Sequence, residues 1–184
     1  KNIYIQGLGV VGSAMSVALA SAQSSEGELL FKVTGIDLDI DASKKNMKAL
    51  EEGRFPFETG DLALLKATKK LKQNKNFTTC INTEADYSEA DIILVSINCD
   101  FDKQKSKVRL DLFLQGIEEI AGSIKEETLV IIESTVPPGT CSEIIYPLMQ
   151  DRVKKRSLDP SKIFLAHSYE RVMPGKKYLD SIGL

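Results

Sequence analysis

The sequence has little of what builds metal centres or disulfide frameworks. Its 184 residues include no tryptophan, one histidine and three cysteines, and the cysteines have no C-x-x-C spacing. A structural zinc site needs a cluster of Cys and His ligands, so we expect no bound metal. An odd, sparse set of cysteines is typical of a reducing compartment, so we expect a cytoplasmic protein.

The sequence also lacks a strong net charge and long apolar runs. The formal net charge is -2 at pH 7, which argues against the affinity of basic proteins for nucleic acid or an anionic membrane. No apolar run reaches the roughly 20 residues of a membrane-spanning helix, and we expect no signal peptide. A hydrophobic fraction of 42% is enough for a core, and the length predicts a single domain over residues 1–184.

The most informative stretch is Gly7-Leu8-Gly9-Val10-Val11-Gly12, which has the pattern G-x-G-x-x-G. A β-branched and aromatic run at 2–6 predicts a strand before it, and a small, apolar run at 13–20 predicts a helix after it. Strand, glycine turn and helix is the context in which this motif binds a dinucleotide. The alternative is a strand–helix turn that merely needs glycine.

Each position in the motif has a predicted task. Gly7 permits the tight turn, Gly9 lets a pyrophosphate approach the backbone, and Gly12 lets the helix pack closely on the strand. The first helical residues, Val10 and Val11, then present backbone N–H groups and the positive end of the helix dipole to the phosphates.

A second predicted strand, at 29–36, ends at Asp37. An acidic residue at this point of a nucleotide-binding fold accepts hydrogen bonds from the adenosine ribose, which is the role we predict for Asp37. Asp39 and Asp41 follow and would repel a 2′-phosphate, so NAD rather than NADP is the predicted cofactor. The alternative role for Asp37 is a helix cap, for which Asp41 or Ser43 is better placed.

Strand and helix patterns alternate through the whole chain. They predict an α/β fold with a doubly wound, mainly parallel Rossmann-type sheet of about six strands and helices on both faces. In the amphipathic helix predicted at 111–125, we expect Leu112, Ile117, Ile120 and Ile124 to be buried. The other predicted helices lie at 42–52, 61–71 and 141–154, and the other strands at 76–80, 91–97, 129–132 and 163–166.

Several polar residues lie where predicted strands end. Ser96 lies at the end of the strand at 91–97, Ser134 and Thr135 follow the next strand, and Glu170 follows the last. Because parallel strands end at the same edge of a sheet, we expect these residues to join the glycine turn and Asp37 in one site. The polar stretch 98–109 is predicted as a surface loop, with a lid near the cofactor as the alternative.

Five motifs follow one another along the chain: G-L-G-V-V-G at 7–12, V-T-G-I-D-L-D at 33–39, E-E-G-R-F-P-F-E-T-G-D-L at 51–62, E-S-T-V-P-P-G-T at 133–140 and E-R-V-M-P-G at 170–175. In this order they resemble the UDP-glucose/GDP-mannose dehydrogenase family, whose members make nucleotide-sugar uronic acids. The glycine motif is generic, whereas S-T-V-P-P-G-T and the P-x-E-x-G-x-L element at 56–62 are far more specific. The E-R-V-M-P-G form is more similar to the branch acting on UDP-N-acetylaminosugars than to the UDP-glucose branch.

The resemblance implies a longer, three-part enzyme. Family members join an NAD domain to a central dimerisation region and a C-terminal UDP-sugar domain, and this chain is similar to the first part only. We therefore expect a catalytic cysteine with its Lys and Asn partners after Leu184, and a full-length homodimer. Because the sequence begins at Lys1 and not at a Met, we also expect residues before it. Cys80, Cys99 and Cys141 do not match that cysteine and are interpreted as incidental thiols. The chain alone is expected to bind NAD without oxidising a UDP-sugar.

The resemblance also implies roles in the reaction. The family oxidises the sugar C6 alcohol twice with two NAD, through a thiohemiacetal and a thioester on the cysteine. Thr135 matches the Thr that orients a water, and Glu170 matches the Glu implicated in acid–base work on the thioester. The structural alternatives are a loop or cap hydroxyl for Thr135 and a surface salt bridge with Arg171 or Lys176 for Glu170.

Two departures from the family pattern concern the site. Ser96-Ile97-Asn98-Cys99 replaces the usual V-x-T-P, and Ser168-Tyr169-Glu170 replaces S-P-E. Loss of these prolines is expected to loosen the cofactor loop and the approach to Glu170.

Two other functions share part of the pattern. β-Hydroxyacid and 6-phosphogluconate dehydrogenases have the opening motif but lack the S-T-V-P-P-G-T element. A non-enzymatic NAD-sensing module needs only the glycine turn and Asp37.

Overall fold

The computed structural model describes residues 1–99, 101–102, 104 and 107–169. Strands and helices alternate along this part of the chain, as the sequence predicts. The strands are β1 (Asn2–Gln6), β2 (Lys32–Asp37), β3 (Phe77–Ile81), β4 (Ile92–Val95), β5 (Phe101–Asp102), β6 (Lys107–Val108), β7 (Leu129–Ile132) and β8 (Phe164–His167), and the α-helices are α1 (Val10–Ser21), α2 (Asp41–Glu51), α3 (Leu62–Asn74), α4 (Asp111–Ser123) and α5 (Tyr146–Lys155).

The main sheet has six parallel strands in the order β3-β2-β1-β4-β7-β8. The chain steps outward from β1 to β2 and β3, then returns to β4 on the other side of β1 and continues to β7 and β8. The direction of winding therefore reverses between β1 and β4, which is where doubly wound sheets bind ligands. The predicted fold class is confirmed.

Helices cover both faces of the sheet. Ile93 and Val95 of β4 belong to a core that includes Phe113 and Ile117 of α4, whereas Leu94 belongs to a second core shared with α1, α2 and α3. Neighbouring residues of a strand point to opposite faces, so β4 is apolar throughout because both of its faces are buried.

Local sequence signals set several helix ends. The Asp61 carboxylate accepts a hydrogen bond from the Leu64 N–H at 3.0 Å and caps α3. Gly53 follows α2 with φ of 77°, a left-handed conformation that glycine adopts without strain. Thr140–Ile145 forms a wide π-helical turn that runs into α5, so the predicted single helix at 141–154 is only partly regular.

Two further sequence predictions differ from the structure. Residues 29–31 turn back along the end of α1, where the Leu30 N–H donates to the Ala22 carbonyl at 3.1 Å, so β2 starts at Lys32. In α4, Leu112 is 59% exposed while Phe113 is fully buried. The buried face therefore begins one residue later than predicted, although Ile117, Ile120 and Ile124 are buried as expected.

The contact between β1 and α1 depends on two glycines. A Cβ built on Gly12 would lie 1.9 Å from the Gly7 carbonyl oxygen. Gly7 itself has φ of 97°, and its Cβ would lie 2.8 Å from the Ser96 carbonyl oxygen. These are backbone neighbours that cannot move aside as a flexible side chain can.

We predict that Gly12→Ala lowers the free energy of unfolding by more than about 2 kcal/mol, because the methyl group overpacks this contact. Gly122→Ala in α4 is the matched control, since a Cβ at Gly122 meets nothing within 4 Å. Alanine favours a helix over glycine, so the control should be stabilised by up to about 1 kcal/mol. Urea unfolding measures both effects, and equal midpoints for Gly12→Ala and wild type would contradict the prediction.

Candidate functional site

Two neighbouring cavities form a trough along the carboxyl edge of the sheet, at the point where the winding reverses. The first has a volume of about 300 Å³ and the second about 460 Å³. Gly9, Ser96, Ile97 and Asn98 line both cavities, so these residues mark where the cavities meet. The first cavity extends towards β2 and α4, and the second extends towards the residues that follow β7.

The glycine turn lies at this meeting point. The Gly7 N–H donates to the Ile36 carbonyl at 2.8 Å, which anchors the turn to β2. Gly9 precedes α1, and a Cβ built on it meets nothing within 4 Å. The space above Gly9 is therefore open to a ligand, in contrast to the crowded surroundings of Gly7 and Gly12.

The N-terminus of α1 opens into the second cavity, where Val10 and Val11 contribute to the wall. The first turn of α1 contains no acidic side chain. The partial positive charge of the helix end is therefore not offset from within its own first turn, which favours an anion there.

Asp37 lines the first cavity at the end of β2. Its Oδ2 accepts a hydrogen bond from the Leu8 N–H at 3.1 Å, and its Oδ1 accepts one from the Leu38 N–H at 2.8 Å. Ile40 occupies the N-cap of α2, so Asp37 does not cap that helix as the alternative would require. The carboxylate is instead bound to the glycine turn.

The first cavity also has a wall that the sequence analysis missed. It is lined by Leu112, Gln115, Gly116 and Glu119 of α4, in addition to Asp37. A Cβ on Gly116 would lie 2.5 Å from Ile97 Cδ1, so this glycine allows α4 to approach the end of β4. Leu112 lies one position before Phe113, with which the buried side of α4 begins. An apolar residue just outside the buried side of a helix is the signal that could have identified Leu112 as a site residue.

A buried polar pair supports the floor of the first cavity. The Tyr87 hydroxyl donates to Gln6 Oε1, and both side chains are buried. Burial raises the pKa of Tyr87, so the hydroxyl keeps its proton and remains a donor. Gln6 is the last residue of β1 and lines the cavity.

Besides Gly9, Val10 and Val11, the structure brings the three predicted hydroxyl residues together in the second cavity: Ser96, Ser134 and Thr135. The Ser134 hydroxyl donates to the Ile97 carbonyl at 2.6 Å and to the Val95 carbonyl at 3.2 Å, which ties the end of β7 to the end of β4. Thr135 is exposed to solvent. Ser134 therefore supports the cavity wall, while the Thr135 side chain remains accessible.

Two further residues of the second cavity were missed as site residues. Glu133 is 7% exposed, and its Oε2 accepts a hydrogen bond from the Ser96 hydroxyl at 2.6 Å. Phe57 reaches the cavity from the loop between α2 and α3, where it packs against the edge of Phe55 with ring centroids 5.9 Å apart. Both residues belong to motifs that resemble the family, which is the signal that could have identified them.

The remaining predictions concern the three cysteines, the segment that ends in Glu170, and the stretch 98–109. Cys99 lines the second cavity, and burial raises the pKa of the Cys80 and Cys141 thiols. Tyr169 is exposed, and Glu170 lies outside the described residues. The stretch 98–109 contains the short antiparallel pair β5–β6 and begins at the trough.

Residues 1–183 match the model of the UDP-glucose/GDP-mannose dehydrogenase family, NAD binding domain. The chain belongs to this family. The match confirms the predicted family and NAD as the cofactor, and it favours neither the β-hydroxyacid nor the 6-phosphogluconate dehydrogenases.

In the part of the chain that the structure covers, no helix is both long and apolar enough to cross a membrane.

Individual relatives agree with the family match. A UDP-N-acetyl-D-mannosamine dehydrogenase of Methanococcus vannielii is 32% identical over 179 residues, which make up 96% of this chain and 35% of that protein. The UDP-glucose 6-dehydrogenase YwqF of Bacillus subtilis is 28% identical over 98% of this chain and 37% of that protein. The structure of an NDP-N-acetyl-D-galactosaminuronic acid dehydrogenase from Methanosarcina mazei has a TM-score of 0.83 at 25% identity, covering 99% of this chain and 37% of that one. The chain thus spans little more than a third of the length of these proteins.

Proposed function

We propose that the trough binds NAD across the point where the winding reverses. The open position at Gly9, where the two cavities meet beside the N-terminus of α1, is the observation that carries this proposal. A pyrophosphate at Gly9 receives backbone N–H groups and the positive end of the helix. The adenosine then occupies the first cavity and the nicotinamide occupies the second.

Asp37 is the proposed partner of the adenosine ribose. Each of its carboxylate oxygens already accepts one backbone hydrogen bond, and a carboxylate oxygen has a second lone pair for a ribose hydroxyl. Leu38 and Leu112 are exposed apolar residues of the same cavity. Burying them against the adenine removes apolar surface from water, which favours binding.

The same geometry favours NAD over NADP. A 2′-phosphate would approach the Asp37 carboxylate, with Asp39 and Asp41 following on the same segment. Asp39 is paired with Lys44, so its charge is partly compensated. Asp37, which lines the cavity, therefore dominates the repulsion of a phosphate.

We further propose that the chain is the NAD-binding domain of a longer dehydrogenase. The length of the relatives supports a longer chain, and the resemblance implies that this longer protein is a homodimer with a central dimerisation region and a C-terminal UDP-sugar domain. This enzyme oxidises the C6 alcohol of a UDP-sugar to the uronic acid with two NAD, in the cytoplasm and for polysaccharide biosynthesis. Relatives named UDP-N-acetyl-D-mannosamine dehydrogenase favour an N-acetylaminosugar as the substrate.

Thr135 and Glu170 are the residues of this chain proposed to act in that reaction. The Thr135 side chain is accessible in the second cavity, which suits the orientation of a water molecule near the reacting carbon. The role of Glu170 in acid–base chemistry rests on the motif match alone.

We predict that the chain binds NAD more tightly than NADP. In Asp37→Asn, the ratio of the NADP dissociation constant to the NAD dissociation constant should fall at least tenfold, because the substitution removes the charge that faces the 2′-phosphate. Calorimetric titration with both cofactors measures this. Asp39→Asn is the matched control, since it removes the same charge from an exposed residue paired with Lys44 and should change the ratio less. Tighter binding of NADP by wild type would contradict the assignment of Asp37.

We also predict that Glu170→Gln in the longer enzyme blocks hydrolysis after both hydride transfers. NADH should appear in a burst of two equivalents per active site, followed by a slow phase, and intact-mass measurement should show a covalent sugar adduct. If Glu170 only formed a surface salt bridge, the substitution would lower the free energy of unfolding by ~0–1 kcal/mol and leave turnover near normal. Wild-type steady-state rates without an adduct would therefore refute the catalytic role of Glu170.

A further inference from the structure

Gln6 is a buried amide side chain at the end of β1 to which the sequence analysis assigned no task. It is 3% exposed and lines the first cavity, as Asp37 does at the end of the neighbouring strand β2. Ile5 packs in the core on the side of α1. Because successive strand residues point to opposite faces, the Gln6 side chain lies on the side of the sheet that α4 covers.

One end of the Gln6 amide is held by a tyrosine that is itself fixed. The Tyr87 hydroxyl donates to Gln6 Oε1, and Tyr87 is 1% exposed. The Tyr87 N–H donates to Ser123 Oγ at 3.1 Å, and its ring packs against that of Tyr4 with the centroids 5.9 Å apart. These contacts fix the orientation of the amide, with its oxygen turned to Tyr87.

The other end of the amide, Nε2, has no hydrogen-bond partner among the described residues. The polar side-chain atoms that are sealed in this part of the structure without a partner are Ser21 Oγ and Asn76 Oδ1. Gln6 Nε2 is not one of them, so it is within reach of the cavity that Gln6 lines. A nearly buried N–H donor without an acceptor costs free energy, which a ligand with an acceptor at this point would recover.

A second glutamine of the same cavity provides a comparison. Gln115 is exposed, and its Nε2 already donates to Glu119 Oε1 at 3.1 Å. Its donor is therefore engaged within α4, whereas the donor of Gln6 is held in place and has no acceptor in the described part of the protein.

We infer that Gln6 Nε2 donates a hydrogen bond to the adenosine of the bound dinucleotide and that Tyr87 is the positioning residue for this contact. The inference rests on the proposed function, in which the first cavity holds the adenosine. Adenosine offers acceptors in its ribose oxygens and its ring nitrogens. The two adjacent strand ends then supply complementary groups, since Asp37 accepts from the adenosine and Gln6 donates to it.

The test is calorimetric titration of the 184-residue chain with NAD⁺ and with ADP-ribose, which lacks the nicotinamide. Gln6→Met keeps a side chain of similar length without the N–H donors, so it should weaken both ligands about fivefold, as expected for the loss of one hydrogen bond. Gln73→Met is the matched control, because Gln73 is an exposed residue of α3. The control should bind both ligands within about twofold of wild type.

Tyr87→Phe tests the positioning role, because it removes the hydroxyl that holds the amide and leaves the N–H donors of Gln6 in the protein. It should weaken ADP-ribose at least about twofold in the wild-type background and cause no further loss when combined with Gln6→Met. Equal weakening in both backgrounds would overturn the positioning role of Tyr87.

Unchanged affinities of Gln6→Met, or weakening of NAD⁺ without weakening of ADP-ribose, would overturn the contact with adenosine. Absence of binding of both ligands to wild type would instead refute the proposed dinucleotide site, and with it this inference. Circular dichroism reports whether Gln6→Met folds. If it does not, the double variant Gln6→Met/Tyr87→Phe replaces it in the titrations, since exchanging both partners of a buried hydrogen bond for apolar groups is nearly neutral for stability.

Nuclear magnetic resonance of the wild-type chain tests the contact without any substitution. Addition of adenosine should shift the side-chain N–H resonances of Gln6, whereas inorganic pyrophosphate, which has acceptors but no adenosine, should leave them in place. Resonances that do not move with adenosine, or that move with pyrophosphate alone, would overturn the inference.

Discussion

The close approach of helix α1 to the ends of β1 and β4 is the constraint on which the trough depends. Gly12 lies against the Gly7 carbonyl and Gly7 lies against the Ser96 carbonyl, so three backbone segments meet where a side chain has no room. This packing aims the N-terminus of α1 at the point where the winding of the sheet reverses. A larger residue in either position would clash with this backbone and force the helix away from the strand ends.

The other half of the trough depends on polar contacts between strand ends. Ser134 donates to the carbonyls of Val95 and Ile97, and Ser96 donates to Glu133. These hydrogen bonds join β4 to the segment after β7 without requiring an apolar surface in the cavity. The wall can therefore carry polar groups and still be held in place.

The sequence predicted the order and type of the main elements because the local signals agree with the fold. The β-branched runs form strands. In the glycine motif, Gly7 and Gly12 are in crowded surroundings and Gly9 is open, as their predicted tasks require. Leu112 was assigned to the wrong face because the apolar pattern of α4 does not by itself fix the rotation of the helix. Glu133 was missed although it begins the E-S-T-V-P-P-G-T motif, because its place in the cavity depends on how β7 pairs with β4.

The central claim, that a dinucleotide pyrophosphate lies over Gly9, is tested most directly by Gly9→Ala. Gly9 has φ of -66° and ψ of -166°, which alanine adopts readily, and a Cβ there meets nothing within 4 Å. The free energy of unfolding should therefore stay within about 0.5 kcal/mol of wild type. NAD binding, measured by calorimetry, should weaken at least tenfold, about 1.4 kcal/mol, because the methyl group occupies the space that the pyrophosphate needs. Unchanged NAD affinity in a normally folded Gly9→Ala variant would contradict the account.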